Sequence, residues 1–321
     1  EQDDPDLYVR IVDRKSDGIV VRGAKLHITG ASLVHEQVVM PTKAMRPEEA
    51  DYAVSFSIPT NTSGVKIINR SFAEETAVDP FDYPFSARAS MPEGFVVFDD
   101  VFVPWERVFL AGETHLAGHF ARALGLWERT LGLAEAVEHA EIIVGLAALV
   151  TEQQGKERKP DVQNTLAELI AYAELLRMSL DYAVRNFERT PSGMVTPNVL
   201  AVNVAKYHYA AHFHEMVRNL QDVSGGLVLT LPKKADLDHP VAGPLLRKYL
   251  HTRDGVAIED RMRVFNGIRD LTADSYGGWQ QVVALQAGGG LLAQRVMMNR
   301  TFDIEAAKHK ALRAVGATIK E

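Results

Sequence analysis

The chain has 321 residues, 46% of them hydrophobic and 24% charged, which is ordinary for a globular protein and long enough for two domains. A net charge of −7 with scattered basic residues does not favour nucleic-acid binding, and the longest apolar run, residues 142–150, is too short to cross a bilayer. The absence of cysteine excludes disulfides, thiolate nucleophiles and cysteine-ligated metal clusters within this chain, and it fits a reducing, cytoplasmic setting.

Residues 1–112 are predicted to form a small β domain. Short runs rich in β-branched and aromatic residues recur there, separated by Gly, Pro and Asn turns. Strands at this spacing are typical of a barrel or a sandwich, and the two alternatives stay open. The predicted strands cover residues 7–12, 19–22, 34–40, 53–58, 64–69, 94–98 and 101–104.

The segment GAKLHITGA, residues 23–31, lies between the second and third predicted strands. Its Gly and Thr residues allow a tight turn that exposes N–H and hydroxyl groups. Such a turn can hydrogen-bond the edge of a flat ligand, or it can be an ordinary connection between strands.

Residues 113–321 are predicted to form a helical bundle. Apolar residues recur at helical spacing from residue 117 onward, and Gly and Pro mark the breaks. Long helices with apolar faces bury those faces against each other. The predicted helices cover residues 117–154, 161–189, 198–223, 244–251, 258–276, 278–299 and 303–316, with a loop at 231–240.

This α+β order, a β domain followed by long helices, resembles the acyl-CoA dehydrogenase-like flavoprotein fold. Residues 23–31 resemble that fold's G-x-K-x-x-I-T-N-A loop, whose Thr lies against the flavin ring, and FDDVFVP at residues 98–104 resembles the segment closing its β domain. The resemblance implies flavin contacts for Thr29, Gly30 and Ala31. A strand-end Thr that satisfies a local backbone group is the alternative for Thr29.

A third similarity is QDVSGG at residues 221–226, which resembles the fold's Q-x-x-x-G-G segment. In the tetramer of that fold the segment lies near the dinucleotide of a neighbouring subunit. The glycines are equally explained as the C-terminal cap of a helix, and both interpretations can hold together. The resemblance implies FAD contacts for Gln221, Asp222, Gly225 and Gly226.

Within this fold the sequence is most similar to the 4-hydroxyphenylacetate 3-hydroxylase and 4-hydroxybutyryl-CoA dehydratase family. The similarity is carried by short segments that span nearly the whole chain. They are DPDLY at 4–8, DGIVVRGAK at 17–25, PTKA at 41–44, DYAVSF at 51–56, QD at 221–222 with GG at 225–226, and KHK at 308–310. The resemblance implies an FAD-dependent, two-component aromatic monooxygenase. Reduced FAD from a separate reductase would react with O₂ and hydroxylate a phenolic substrate, and the enzyme would be a homotetramer.

The dehydratase branch holds an iron–sulfur cluster, and its H-x-x-x-Y-x-x-C-K pattern best matches residues 198–206 here. Only Lys206 is retained, and Asn, Val and Ala replace the other motif residues, so these positions cannot assemble that cluster. We therefore expect no metal and favour the hydroxylase branch. Two alternatives remain, namely an acyl-CoA dehydratase or isomerase relative without the cluster, and a non-catalytic subunit.

Family members carry a helical domain ahead of the DPDLY segment, and that domain supplies much of the phenol site in the hydroxylases. The sequence begins EQDDPD, without Met and without a signal peptide. We therefore expect it to be a piece of a longer product, with the N-terminal domain outside this chain.

The catalytic candidates are Lys206 and His208, both on the third predicted helix. Lys206 could offset the negative charge of flavin or substrate, or it could be a solvated helix lysine. His208 and His212 are four residues apart and share a helix face, a spacing that can bind metal, but no H-E-x-x-H signature completes it. Of His208, His212 and His214 on this helix, we expect one to face the flavin cavity and the others to lie near the surface. Residues 288–290, a Gly run, lack the strand–loop–helix context of a phosphate loop.

Overall fold

A computed structural model describes residues 3–71, 79–89 and 91–317 of the protein. Their contacts divide the chain into two compact units, Glu1–Gly125 and Leu126–Glu321. The last strand of the β region ends at Ala111, and the boundary between the units falls later, within the first long helix. Among the described helices, none combines the length and the apolar character needed to span a bilayer.

The first unit contains two antiparallel sheets. One has the order β1-β2-β6-β5 and the other β3-β4-β7, so the described strands form two open sheets rather than a closed barrel, and the sandwich alternative is the better description. The final strand was missed in the sequence. The strands are β1 Arg10–Arg14, β2 Gly18–Thr29, β3 Glu36–Val39, β4 Val54–Pro59, β5 Val65–Arg70, β6 Glu93–Pro104 and β7 Val108–Ala111.

Both sheets contribute to one hydrophobic core. Ile19 and Phe98 come from the larger sheet, and Phe56 and Ile58 come from the smaller one. The rings of Phe56 and Phe98 meet edge to face with centroids 5.7 Å apart, an arrangement that adds about 1 kcal/mol to the effect of burial alone. This core holds the end of β2 in place.

The predicted turn over residues 23–31 is wrong for most of its length, because β2 continues to Thr29. Two irregularities in the β2–β6 register explain the misleading sequence signal. At Gly23 the backbone adopts φ 126°, and a Cβ there would lie 2.3 Å from the Tyr8 carbonyl oxygen, so glycine is required. Leu26 and His27 then oppose the single residue Phe95, with His27 at φ 64°. The true turn begins at Gly30.

The two strands predicted on either side of residues 99–100 are one strand, β6. Asp99 and Asp100 together oppose Arg22 in a β-bulge, and Asp100 adopts φ 51°. The Arg22 guanidinium donates to both carboxylate oxygens of Asp100, at 2.8 Å and 3.0 Å. A pair of adjacent acidic residues therefore marks a bulge here rather than a loop.

The helical region departs from the sequence prediction in its boundaries. The second helix ends four residues early, because residues 188–189 enter a small hairpin, β8 Glu188–Arg189 with β9 Val195–Thr196. The loop predicted at 231–240 contains a short helix. The helices are α1 Thr114–Gln153, α2 Pro160–Arg185, α3 Val199–Ser224, α4 Leu227–Thr230, α5 Lys234–Leu237, α6 Ala242–Tyr249, α7 Ile258–Thr272, α8 Ser275–Gln286, α9 Leu291–Thr301 and α10 Ile304–Ala314.

The helices of the second unit pack around α3, which contacts α2, α7, α8 and α9. Its buried residues recur at helical spacing, which gives the helix several apolar contact faces. Four polar residues of this helix are buried, and two of them in its N-terminal half, Asn203 and Lys206, must find partners inside the unit. A buried lysine is rare in proteins, so the surroundings of Lys206 are described with the candidate site below.

Candidate functional site

The three residues predicted to face the flavin ring lie together at the end of β2. Thr29 is exposed, and its Oγ1 donates a 2.7 Å hydrogen bond to Glu93 Oε2. Gly30 has φ 71°, and its N–H donates to the Pro92 carbonyl at 2.8 Å. Ala31 is buried in the core as a whole residue, so in the single chain it offers no accessible group to a ligand. The Thr29 hydroxyl is therefore the group of this turn best placed to meet a ligand.

The candidate Lys206 is buried in the second unit with 3% of its surface exposed. Its Nζ donates a 2.6 Å hydrogen bond to the Ala284 carbonyl and lies 5.1 Å from the centre of the Tyr209 ring. Burial lowers the pKa of Lys206 to about 8, and the charge of Glu128 opposes part of this change. The interpretation of Lys206 as a solvated helix lysine is wrong.

Two neighbouring residues of α1, Glu128 and Arg129, complete a buried polar cluster with Lys206 and Asn203. The Arg129 guanidinium donates to Asn203 Oδ1 at 2.9 Å and to the Gly288 carbonyl at 2.7 Å. Glu128 Oε2 is buried without a hydrogen-bond partner among the described residues. Burial raises the pKa of Glu128, although the charges of Lys206 and Arg129 act in the opposite direction. Burial therefore brings the pKa values of Glu128 and Lys206 closer together than they are in water.

The second catalytic candidate, His208, does not join this cluster. Its ring packs against Tyr172, with centroids 5.3 Å apart, and against His212, at 4.9 Å. His208 Nε2 is buried and, within the described part of the chain, has no partner. Burial and then the neighbouring His212 lower the pKa of His208. The described residues contain no group of three or more His, Cys, Asp or Glu side chains placed to hold a metal ion.

A short hydrogen bond between His139 and Tyr276 was not anticipated from the sequence. His139 Nε2 and the Tyr276 hydroxyl are 2.5 Å apart, and the donor depends on the histidine tautomer. Burial lowers the pKa of His139 and raises the pKa of Tyr276 to about 12, so both groups are neutral at physiological pH. The partners lie 137 positions apart in the chain, which explains why no local motif marks them.

Gln221, Asp222, Gly225 and Gly226 lie at the C-terminal end of α3. Gly225 adopts φ 76° and its N–H donates to the Gln221 carbonyl, so it forms the helix cap that the sequence allowed. Gln221 Nε2 donates weakly to the Thr272 carbonyl at 3.4 Å, while Asp222 is exposed. A Cβ at either glycine would meet nothing within 4 Å, which leaves this backbone accessible to a ligand.

The first unit contains a cavity of about 410 Å³ that the sequence did not identify as a site. Residues from several family-marking segments line it, among them Tyr8, Lys25, Lys43 and Tyr52. Lys25 Nζ donates a 2.8 Å hydrogen bond to the Met40 carbonyl, and burial lowers the pKa of this lysine. Four of the segments that carry the family resemblance, DPDLY, DGIVVRGAK, PTKA and DYAVSF, therefore lie close together around this cavity.

Comparison with known protein families assigns both parts of the chain. Residues 1–110 match the family model described as 4-hydroxyphenylacetate 3-hydroxylase N terminal, and residues 117–316 match 4-hydroxyphenylacetate 3-hydroxylase C terminal. The chain belongs to the 4-hydroxyphenylacetate 3-hydroxylase family. Its resemblance to this family in the sequence is confirmed.

Relatives of the chain include both branches of this family. It is 31% identical to 4-hydroxybutyryl-CoA dehydratase/vinylacetyl-CoA-Delta-isomerase of Clostridium aminobutyricum, over 98% of this chain and 66% of that protein. It is 32% identical to the 4-hydroxyphenylacetate 3-monooxygenase oxygenase component of Thermus thermophilus, over 88% of this chain and 58% of that protein. The chain thus spans no more than about two thirds of these relatives.

Solved structures give the same two branches. A 4-hydroxybutyryl-CoA dehydratase from N. maritimus has a TM-score of 0.91 at 30% identity, covering 100% of this chain and 64% of that one. The oxygenase component of 4-hydroxyphenylacetate 3-monooxygenase complexed with FAD has a TM-score of 0.89 at 29% identity, covering 98% and 65%. An acyl-CoA dehydrogenase from Geobacillus kaustophilus, at 16% identity and a TM-score of 0.60, supports the fold alone.

Proposed function

We propose that the protein is the oxygenase of a two-component, FAD-dependent aromatic monooxygenase that hydroxylates a phenolic substrate. The observation that carries this proposal is the similarity, over 88–93% of the chain, to several oxygenases whose names state phenolic substrates. A solved relative also holds FAD and 4-hydroxyphenylacetate together. In this reaction one atom of O₂ enters the ring carbon beside the phenol hydroxyl, and the other becomes water with two electrons from FADH₂.

The residues of this chain fit a flavin at two places, one in each unit. Thr29 presents an exposed hydroxyl, and at the neighbouring Gly30, which is buried, the nearest atom to an added Cβ is 3.8 Å away. Gly225 and Gly226 present open backbone at the end of α3. Reduced flavin, once bound, supplies the electrons and activates O₂. In our proposal Thr29 orients the ring of one flavin, and the α3 terminus with Gln221 and Asp222 holds the dinucleotide of a flavin bound to a neighbouring subunit.

The polar cluster of Lys206, Glu128 and Arg129 supplies the electrostatics in our proposal. A buried ammonium stabilises negative charge on a reduced flavin or a phenolate far better than a solvated one. Because the pKa of Lys206 lies near 8 while that of Glu128 is raised, the pair can also accept or release one proton during turnover. His208 serves this proposal only as a second, neutral group on the same helix.

A second candidate function is that of an acyl-CoA dehydratase or isomerase relative. The 31% identity and the TM-score of 0.91 to dehydratases favour it. The 321 residues include no cysteine, so this chain supplies no thiolate ligand for an iron–sulfur cluster. We therefore rank it below the monooxygenase.

We also propose a homotetramer, a separate flavin reductase as partner and a cytoplasmic location. Large apolar side chains on the helices support assembly, because Leu131 and Leu292 are 64% and 72% exposed in the single chain. The absence of cysteine is consistent with a reducing compartment.

The test of the proposed function is flavin binding followed by turnover. Purified protein is titrated with FAD and with photoreduced FAD, and binding is followed by visible absorbance. Reduced FAD, air and a panel of para-substituted phenols should then give catechols, detected by mass spectrometry. Anaerobic conversion of a 4-hydroxyacyl-CoA thioester would support the second candidate instead. A protein that binds no flavin in either redox state would contradict both.

A further inference from the structure

A cavity of about 300 Å³ lies at the beginning of α7, away from the residues considered so far. Its polar lining comes from Arg247 at the end of α6, from His251 and Thr252 in the following loop, and from Glu259 and Arg261 in the first turns of α7. The lining is thus rich in hydrogen-bond donors, which is the composition of an anion site.

Arg261 is the unusual member of this lining. Only 9% of its surface is exposed, and its Nε and Nη1 atoms are buried without a hydrogen-bond partner in the described structure. The guanidinium lies over the Phe265 ring at 5.3 Å, which fixes its plane but satisfies no N–H donor. Burying unsatisfied donors of a charged group is costly, and native proteins rarely leave them without a partner.

The start of α7 adds further donors to the same place. Ala257 precedes the helix and has no side chain that can cap the first N–H groups, of which the Glu259 N–H alone is bonded to the Glu259 carboxylate. Those groups and the helix dipole favour negative charge in front of the helix. Arg261 lies in the first turns of α7, where helical side chains extend back toward the N-terminus, so its donors and the helix start are directed to one region.

The other charges of the cavity are already paired. Arg247 Nη1 contacts Glu259 Oε1 at 2.5 Å, and this bond holds the pKa of Glu259 below its usual range. His251 Nε2 lies 3.8 Å from Asp254 Oδ1, whose side chain is fully exposed. Arg261 therefore remains as the uncompensated positive charge of the lining.

We propose that this cavity binds a phosphoryl group, either a phosphate ester or a pyrophosphate, with Arg261 as its bidentate anchor. The planar fork of Nε and Nη1 matches two oxygens of a phosphoryl group, which a lysine ammonium cannot do. The N–H groups at the start of α7 other than that of Glu259 bind the remaining oxygens. The cavity has room for a substituent beyond the phosphoryl group, such as the rest of a nucleotide or of another phosphorylated metabolite.

The test is calorimetric titration of the purified protein with inorganic pyrophosphate. Arg261→Gln removes the charge and the fork, and Arg263→Gln removes the same charge from an exposed position on the same helix, outside the cavity. We expect Arg261→Gln to weaken binding at least tenfold and Arg263→Gln to change it less than twofold. Equal weakening by both variants would mean an adventitious ion only and would overturn the proposal, as would undetectable binding to the unmodified protein.

Two further measurements keep the result interpretable. Circular dichroism identifies a misfolded Arg261→Gln protein, in which case Arg261→Lys, which keeps the charge but loses the fork, must still weaken binding clearly. Titration of the FAD-saturated protein then distinguishes the two sources of the ligand. Competition assigns the site to the pyrophosphate of the flavin cofactor, and independent binding assigns it to a separate phosphorylated ligand. Failure of the proposed monooxygenase activity would leave this result unaffected.

Discussion

Lys206 shows most clearly how a single buried residue can carry function. With 3% of its surface exposed, Lys206 loses most of its hydration. The Ala284 carbonyl, the Tyr209 ring and the Glu128 carboxyl compensate only part of the lost hydration energy of the ammonium group. Burial is tolerated because the charged and neutral forms become close in free energy near pH 8. Such a group can change its charge in response to a ligand.

The lowered pKa of Lys206 predicts a pH-dependent stability. The unfolded chain keeps this lysine protonated up to its ordinary pKa of 10.5, whereas the folded chain releases the proton from about pH 8. The unfolded state therefore binds more protons between these values, and the free energy of unfolding rises with pH across this window, by roughly 2 kcal/mol. Lys206→Met should remove this rise, as measured by urea denaturation at pH 7, 8, 9 and 10. Parallel pH profiles for the two proteins would contradict the assignment.

Thr29 is predicted to act on a ligand rather than on folding. Its side chain is exposed and its hydrogen bond goes to the half-buried Glu93 at the end of a strand, so Thr29→Val should change the free energy of unfolding by no more than about 0.5 kcal/mol. Affinity for FAD, followed by fluorescence quenching, should fall about tenfold because a hydrogen bond to the ring is lost. Thr60→Val, which removes a hydroxyl bonded to the Val34 carbonyl in the same unit, is the matched control. Unchanged FAD affinity in Thr29→Val would exclude Thr29 from the site.

The sequence could indicate only those site residues that local motifs mark. Thr29 and Lys206 stand in such motifs, and the structure finds the first exposed and the second buried. Glu128 and Arg129 could not be found, because their partners are on α3 and in the glycine run after α8. One local signal was present, because Glu128 and Arg129 are adjacent residues of opposite charge on the largely apolar first helix.

The sequence prediction placed the end of α7 four residues too late. It also extended the next helix, which contains α8, to residue 299. The structure ends α7 at Thr272 and starts α8 at Ser275, where the Asp274 side chain accepts from the Ser275 N–H. The sequence prediction carried the first of these helices to residue 276 and began the next at 278, because apolar periodicity persists beyond Thr272. A similar effect joined α8 to α9 across residues 288–290, where positive φ angles at Gly288 and Gly289 require the break.

Two adjacent glycines of α8 provide a matched test of this junction. A Cβ at Gly277 would lie 2.6 Å from the Leu271 carbonyl oxygen, while a Cβ at Gly278 would meet nothing within 4 Å. Gly277→Ala should destabilise the protein by on the order of 2 kcal/mol through this collision. Gly278→Ala should be neutral or stabilise it by about 0.5 kcal/mol through helix propensity. Thermal denaturation compares the two, and equal effects would contradict the close packing of α8 against the end of α7.

The strands illustrate the opposite error, in which long elements were divided. Alternating apolar residues located most of the strands of the first unit, but β2 and β6 each contain bulges that resemble turns in the sequence. At each bulge one residue, His27 or Asp100, takes a positive φ that no local propensity indicates. The pairing of β2 with β6 over twelve residues each fixes these conformations, and that pairing is long-range.

At the scale of the whole molecule, the family and the order of the two units were predictable, because the similarity is spread along the chain rather than held in one motif. Exposed apolar side chains on the helices are compatible with the proposed tetramer. Light scattering on the purified protein should give a mass of four polypeptides, and replacing Leu131 and Leu292 by Glu should give smaller species. A monomeric unmodified protein would contradict this proposal.

The central claim is that this protein uses reduced flavin to place one oxygen atom of O₂ on a phenol. The most direct measurement is mass spectrometry of the product formed from a phenol, reduced FAD and ¹⁸O₂ in ordinary water. We predict a catechol that carries a single ¹⁸O atom beside the original hydroxyl and that is absent without reduced FAD. A product whose new oxygen comes from water, or no phenol product while a hydroxyacyl-CoA thioester is converted without O₂, would contradict the claim.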